Sequence, residues 1–88
     1  MVLERIELKP TNGRKSFYGK AQVEYHDNNT GEIGLSDRVL LSYGTKIMTI
    51  KYGGKMVRHW NGWTKTTGNH IASFADLNKK AFLELELV

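Results

Sequence analysis

Two adjacent glycines, Gly53 and Gly54, constrain the fold more than any other pair in the chain. A Gly-Gly pair suits a two-residue hairpin turn, because both positions of such a turn need a positive φ. Strand-forming residues precede the pair over Lys46–Tyr52 and follow it over Lys55–Trp60. The two runs are therefore predicted to be antiparallel neighbours in a sheet.

Alternating apolar and polar residues predict three more strands upstream of this hairpin. These strands are Val2–Lys9, Phe17–Tyr25 and Glu32–Tyr43, the last with a bend at Gly34. Turns are predicted at 11–15, at 27–31 and at Gly44 and Thr45, where turn-forming residues are concentrated. Consecutive strands joined by short turns predict an antiparallel meander.

The period of the apolar residues changes after Gly62. His70, Ile71 and Phe74 recur at three- and four-residue spacing, which predicts an α-helix over about 67–79. Thr66 or Thr67 is predicted to cap this helix by accepting a backbone hydrogen bond.

The last eight residues, Ala81–Val88, alternate leucine with glutamate and predict a closing strand. The predicted fold is one α+β domain over 1–88. It has an antiparallel sheet of about five to six strands, with one helix packed on one face before the C-terminal strand.

Composition narrows the class of protein. The chain has 88 residues, of which 40% are hydrophobic and 25% charged, as expected of a globular domain. It has no cysteine, which excludes disulfides and thiolate zinc sites, and we expect no metal or cofactor. No apolar run reaches the ~20 residues that span a bilayer, and the N-terminus lacks a signal-peptide pattern. A cytoplasmic protein without a membrane partner is expected.

The charge is segregated along the chain. The net charge is +4, and no acidic residue occurs between Asp37 and Asp76. Cations interleaved with aromatic rings are typical of surfaces that bind single-stranded nucleic acid. Strand alternation, however, places Lys46 with Met48 and Lys51 with Ile47, so the cations do not all share one face. The candidate binding residues are Arg58, Trp63, Lys65, Lys51, Lys55 and Tyr52, with Trp63 expected to be exposed.

No pattern of catalytic residues stands out. His70 lies on the apolar face of the predicted helix, where a histidine usually bonds a nearby hydroxyl or carbonyl, here Thr66 or Thr67. A serine hydrolase that used Ser42 or Ser73 would lack an elbow motif. The threonines near Gly68 could hold a phosphate at a helix N-terminus, or could simply cap the helix. We therefore expect no enzymatic activity.

Three ordered blocks carry a resemblance: Ser-Phe-Tyr-Gly-Lys-Ala from Ser16, Ser-Tyr-Gly-Thr-Lys from Ser42, and Gly-Trp-Thr-x-Thr-Thr-x-x-His-Ile-x-x-Phe from Gly62. Together they resemble a small uncharacterised family found mostly in bacteriophages and mobile elements. The resemblance covers about two-thirds of the chain and departs from the family pattern at Thr64, where serine is commoner. It implies a phage-type accessory protein in a bacterial host cell, with no assigned catalytic residue, and favours an inhibitor of host defence such as an anti-CRISPR.

Three functions remain open. The first is a non-enzymatic phage-type protein that binds a host protein or nucleoprotein complex. The second is a direct nucleic-acid-binding protein that uses the basic and aromatic residues named above. The third is a homo-oligomer that self-associates through an exposed sheet edge or apolar face.

Overall fold

The computed structural model describes residues 2–9, 19–26 and 36–88 as an antiparallel meander with two short helices. The elements are β1 (Val2–Glu7), β2 (Ala21–His26), β3 (Asp37–Ser42), β4 (Thr45–Ile50), β5 (Met56–Arg58), α1 (Lys65–Ala75) and α2 (Lys79–Leu83). The strands lie in the order β1-β2-β3-β4-β5, and each is antiparallel to its neighbours. The predicted α+β fold class is confirmed. No helix in the described ranges is long and apolar enough to cross a membrane.

Two tight turns set the register of the central strands. Gly53 and Gly54 have φ of 100° and 99°, which confirms the predicted Gly-Gly hairpin. The preceding turn lies at Tyr43 and Gly44, with φ of 52° and 79°, one residue earlier than predicted. The turns predicted at 11–15 and 27–31 and the bend at Gly34 lie outside the described residues.

The core lies between the sheet and the helices. Leu40 of β3 faces Met48 of β4, and both are fully buried together with Ile71 of α1 and Phe82 of α2. The pairing of β3 with β4 shifts by one residue between Leu40 and Leu41, which leaves Ile47 of β4 without a partner in β3. The Ile47 side chain belongs to the same buried cluster. The predicted apolar face of the helix is confirmed by the burial of its residues against this core.

α1 lies along β3 in the opposite direction. Its first turns meet the end of β3, where the Ser42 hydroxyl oxygen is 3.1 Å from that of Thr67. Its last turn shares a cleft with Ile50 and Met56, which flank the Gly-Gly hairpin. Eleven residues make α1 about 16 Å long, so the two ends of the helix lie at opposite ends of the sheet.

The limits of α1 differ from the predicted ones at both ends. Thr64 has an extended backbone and its hydroxyl accepts the N–H of Thr67 at 3.1 Å, so the cap is neither Thr66 nor Thr67 as predicted. At the other end Asp76 adopts a left-handed conformation with φ of 57°, and its N–H bonds the Ala72 carbonyl at 2.9 Å. The helix therefore spans 65–75 rather than about 67–79.

The predicted C-terminal strand over Ala81–Val88 is wrong. Asn78 Oδ1 accepts the N–H of Ala81 at 2.8 Å and caps α2, which inserts Phe82 into the core. Only one parallel bridge forms after α2, between Arg58 and Leu87. The physical reason is that α2 already uses residues 79–83 and buries the Phe82 ring, while β5 is only three residues long and offers few backbone partners to a further strand.

Candidate functional site: a groove between the two helices

A groove of about 760 Å³ runs between α1 and the segment that leads into α2. Its lining combines apolar residues with polar residues of both charges: Trp63, Gly68, Ala72 and Leu77 with Lys65, Asn69, Asp76, Asn78 and Lys79. Binding sites for proteins and ligands commonly join an apolar surface to a few polar groups in this way.

Trp63 forms a fixed wall of the groove. Its ring packs against the ring of Phe82, with centroids 5.9 Å apart and planes inclined at 50°. The six-membered ring of the indole also lies against Gly68, where an added Cβ would stand only 2.5 Å from Cζ2. Gly68 is therefore a notch in α1 that admits the indole. Trp63 is half-buried, which corrects the expectation of an exposed ring: part of it packs and part of it lines the groove.

The groove is lined by more basic than acidic residues. Lys65 is the first residue of α1 and Lys79 the first of α2, and both are exposed. Asp76, which caps the end of α1, is the one acidic residue among those that line the groove. The first turn of α1 contains no acidic residue to offset the positive end of its dipole. The lining thus favours a partner with an acidic group beside its apolar one.

The other predicted binding residues do not converge on this groove. Lys51, Tyr52 and Lys55 lie at the Gly-Gly hairpin, where the Tyr52 side chain is 60% exposed. That hairpin adjoins the C-terminal end of α1, whereas Trp63 and Lys65 lie at the N-terminal end, about 16 Å away along the helix. The predicted site residues therefore form at least two separate surfaces.

Arg58 holds the C-terminal tail. Its Nε donates to the Leu85 carbonyl at 2.9 Å, and its Nη1 donates to the Trp60 carbonyl at 3.3 Å and to Asn61 Oδ1 at 3.1 Å. These bonds give Arg58 a structural role in joining the tail to β5. Its contact with a partner stays a prediction.

His70 belongs to a buried polar cluster under the N-terminal half of α1. Its Nδ1 is 2.9 Å from the hydroxyl of Ser42, and the two residues are only 1% and 2% exposed. Burial, and then the positive charge of Lys20, lowers the pKa of His70 and favours the neutral imidazole. The predicted structural role, with a hydroxyl as partner, is confirmed, but the hydroxyl belongs to Ser42 instead of Thr66 or Thr67. A serine and a histidine at this distance resemble a nucleophile and its base, but here both side chains are buried.

A second buried polar cluster on the opposite face of the sheet was not predicted. Glu24, only 4% exposed, accepts hydrogen bonds from Arg5 Nε at 2.8 Å and from Arg5 Nη2, and lies 3.1 Å from His26 Nε2. Burial alone would raise the pKa of Glu24, but the hydrogen bonds from Arg5 and His26 hold it below the ordinary value. This ion pair follows from the pairing of β1 with β2, which sets Arg5 opposite Glu24. The sequence alone does not give that register, because it depends on the length of the β1–β2 connection.

Within the part of the chain that the structure describes, no cluster of three or more His, Cys, Asp or Glu side chains could hold a metal ion.

A protein-family model described as a family of unknown function (DUF8033) matches residues 6–84. Since the match covers most of the sequence, the chain belongs to this family. No curated protein and no solved structure matches the chain significantly.

Proposed function

We propose that this chain, a member of that family of unknown function, is a non-enzymatic accessory protein of the phage type that binds a host protein through the α1–α2 groove. The proposed target is a nucleoprotein complex of host defence, which an anti-CRISPR-like inhibitor would bind in the bacterial cytoplasm. The phage origin and this choice of target rest on the resemblance of the three sequence blocks.

The observation that carries the proposal is the preformed groove with Trp63 as its wall. The indole is fixed between Phe82 and Gly68, so a partner that covers it loses little additional side-chain freedom. Tryptophan is among the side chains that contribute most to the binding free energy of protein interfaces. Ala72 in α1 and Leu77, just after its end, extend the apolar surface of the groove.

The polar lining favours a peptide segment over a nucleic-acid strand. Lys65 and Lys79 attract an acidic side chain, while Asp76 repels a continuous phosphate backbone. An extended segment with an apolar residue and a nearby Asp or Glu matches this arrangement. Such a segment would come from the protein component of the nucleoprotein.

The non-enzymatic part of the proposal is supported by the burial of the one serine–histidine pair described above. Ser42 and His70 are closed off by Thr67 and the packing of α1, so their hydrogen bond stabilises the fold.

Affinity capture from a host lysate tests the groove when two pairs of variants are compared. Ala72→Arg fills the groove, whereas Thr66→Arg places the same side chain at an exposed α1 position that does not line it. Lys79→Glu reverses a charge in the lining, whereas Lys80→Glu makes the same change at the next exposed lysine.

We expect Ala72→Arg and Lys79→Glu to lose the partner that the wild type and the two controls retain. Nuclease treatment of the lysate should leave capture unchanged, because the contact is to protein. Equal capture by all four variants would exclude the groove as the binding site, and loss of capture after nuclease treatment would point to nucleic acid.

Direct nucleic-acid binding is a second candidate, favoured by the hairpin at the other end of α1. Tyr52 is 60% exposed between the exposed Lys51 and Lys55, and the Lys55 ammonium lies 3.9 Å from a Glu86 carboxylate oxygen, a long ion pair. A ring between two cations can stack on a base while the cations follow the phosphates. Binding to single-stranded oligonucleotides at low and high salt tests it: affinity should fall with salt and with Tyr52→Ala, and no binding at low salt would exclude it.

A further inference from the structure

β1 is an edge strand of the sheet. It pairs with β2 on one side, and among the described residues it has no strand on the other. The opposite edge differs, because the C-terminal tail bridges β5 at Arg58 and Leu87. Residues 4–7 of β1 are all exposed, and Ile6 has 40% of its surface exposed. An exposed edge strand with an apolar residue at its centre is a template for pairing with another chain.

The register of β1 fixes which backbone groups face that edge. The Leu8 N–H bonds the Ala21 carbonyl at 3.0 Å, and Ile6 lies opposite Val23. Because antiparallel strands alternate their hydrogen-bonding direction, Leu8 and Ile6 direct their N–H and C=O groups toward β2. The N–H and C=O groups of Arg5 and Glu7 therefore point away from β2, toward the edge.

We propose that β1 pairs antiparallel with β1 of a second copy of this chain, with Ile6 opposite Ile6. In this register Arg5 lies opposite Glu7 of the second copy, and Glu7 opposite its Arg5. The outward N–H and C=O groups of these residues form the backbone hydrogen bonds of the new ladder. The two-fold axis stands normal to the sheet, so the sheets join into one and both copies of α1 lie on the same side.

Charge complementarity selects this register from its neighbours. A shift that centres the pair on Arg5 sets two guanidinium groups opposite each other, and centring it on Glu4 or Glu7 sets two carboxylates opposite each other. Like charges directly across a ladder destabilise it, whereas opposite charges stabilise it. Among centres within β1 from Glu4 to Glu7, only Ile6 gives opposite charges and an apolar centre.

The existing contacts of these side chains are compatible with pairing. Arg5 uses Nε and Nη2 for Glu24, and its side chain is still 55% exposed, so part of the guanidinium faces solvent. Glu7 Oε1 accepts the Gly19 N–H at 3.1 Å, and Glu7 is exposed. Pairing covers the exposed part of both Ile6 side chains and the outward backbone groups of both edges.

The mass in solution tests the proposal on the intact chain. Sedimentation equilibrium from micromolar to millimolar protein should show a concentration-dependent rise to twice the mass of one chain. Ile6→Lys should give the mass of one chain throughout, because two ammonium groups would meet at the centre of the ladder. Leu87→Lys, at an exposed leucine near the opposite edge, should keep the wild-type behaviour. A wild type that stays monomeric, or a dimer that Ile6→Lys leaves intact, would overturn the proposal.

Hydrogen exchange locates the interface without any substitution. The amides of Arg5 and Glu7 should exchange more slowly at millimolar than at micromolar protein, while exposed amides of the Gly-Gly hairpin keep the same rate. If the chain dimerises and the Arg5 and Glu7 amides show no such slowing, another surface forms the dimer and the proposal fails.

Discussion

Gly68→Ala tests whether the Trp63 wall is fixed as described. The substitution adds one methyl group inside α1, where alanine is normally the better residue. Here the added Cβ would stand 2.5 Å from Cζ2 and 2.9 Å from Cε2 of Trp63. The ring cannot retreat at low cost, because Phe82, which is fully buried, packs against it. The new methyl group must therefore displace either the indole or the helix.

Two opposing contributions decide the magnitude. Replacing glycine by alanine within a helix stabilises it by about 1 kcal/mol. Overpacking a well-packed site costs about 1–3 kcal/mol. Here the distance between the added Cβ and Trp63 Cζ2 is about 1 Å shorter than an ordinary contact, and the ring is large and held in place, so we expect a cost in the upper part of that range. We expect the free energy of unfolding to fall by about 1–2 kcal/mol, which for a domain of this size lowers Tm by roughly 4–16 °C.

Urea denaturation and thermal melting followed by circular dichroism measure both quantities. Thr66→Ala, at an exposed α1 position, controls for helix propensity and should be neutral or stabilising. Trp63→Phe removes the clashing indole atoms, so in that background Gly68→Ala should become stabilising. If Gly68→Ala stabilises the otherwise unchanged chain by about 1 kcal/mol, as propensity alone requires, the indole is not fixed against Gly68 and the description of the groove is wrong.

Three further results are expected. Thr64→Ala removes the hydroxyl that accepts the Thr67 N–H and should lower the free energy of unfolding, measured by urea titration, by about 1 kcal/mol. Thr64→Ser retains a hydroxyl at this position and should retain most of that stability. In the folded chain the pKa of Glu24 lies below its ordinary value of 4.5, so the free energy of unfolding should decrease as the pH falls from 4.5 through that lowered pKa. Glu24→Gln has no carboxylate to protonate and should lack this decrease. If the two proteins lose stability in parallel as the pH falls, the assignment is contradicted. Because the folded-state pKa of His70 lies below its ordinary 6.5, the unfolded chain binds the proton first. Stability should therefore fall as the pH drops from 6.5 toward that lowered pKa, and His70→Gln should flatten the curve in this range.

The sheet was predictable because its signals are local. Gly53 and Gly54 adopt the positive φ that a Gly-Gly turn predicts, and the alternation of apolar and polar residues along β2 is a pattern of neighbouring residues. The apolar face of α1 was likewise evident from the spacing of His70, Ile71 and Phe74. Helix ends are harder to locate, since Thr64, Thr66 and Thr67 are equal candidates until the backbone of Thr64 is known to be extended.

The C-terminal segment could not be predicted from alternation alone. Leu83, Leu85 and Leu87 are spaced as in a half-buried strand, yet Leu87 is 49% exposed and the neighbouring Phe82 is the buried residue. Whether such a segment forms a strand depends on the ladder offered by its neighbour, and β5 is too short to offer one. The length of β5 depends on the whole fold, so the local sequence pattern of the C-terminal segment cannot reveal it.

The sequence singles out only some of the residues that line the groove. The sequence predicts Trp63 and Lys65 as binding residues, but it places Gly68 only beside a possible phosphate site and does not predict a notch for an indole. Several residues of the Gly62–Phe74 block have structural roles: Thr64 caps α1, His70 bonds Ser42, and Ile71 fills the core. The block therefore explains how α1 packs on the sheet, and the proposed partner surface lies on the other side of the same helix.

Site-specific photocrosslinking tests the central claim, that a host protein occupies the α1–α2 groove, most directly. A photoreactive side chain at Ala72 lies in the groove, and the same group at Thr66 lies on α1 outside it. Irradiation in host cells should give a covalent adduct with one protein from the Ala72 position and none from the Thr66 position. An adduct from Thr66 alone, or equal adducts from both positions, would contradict the account.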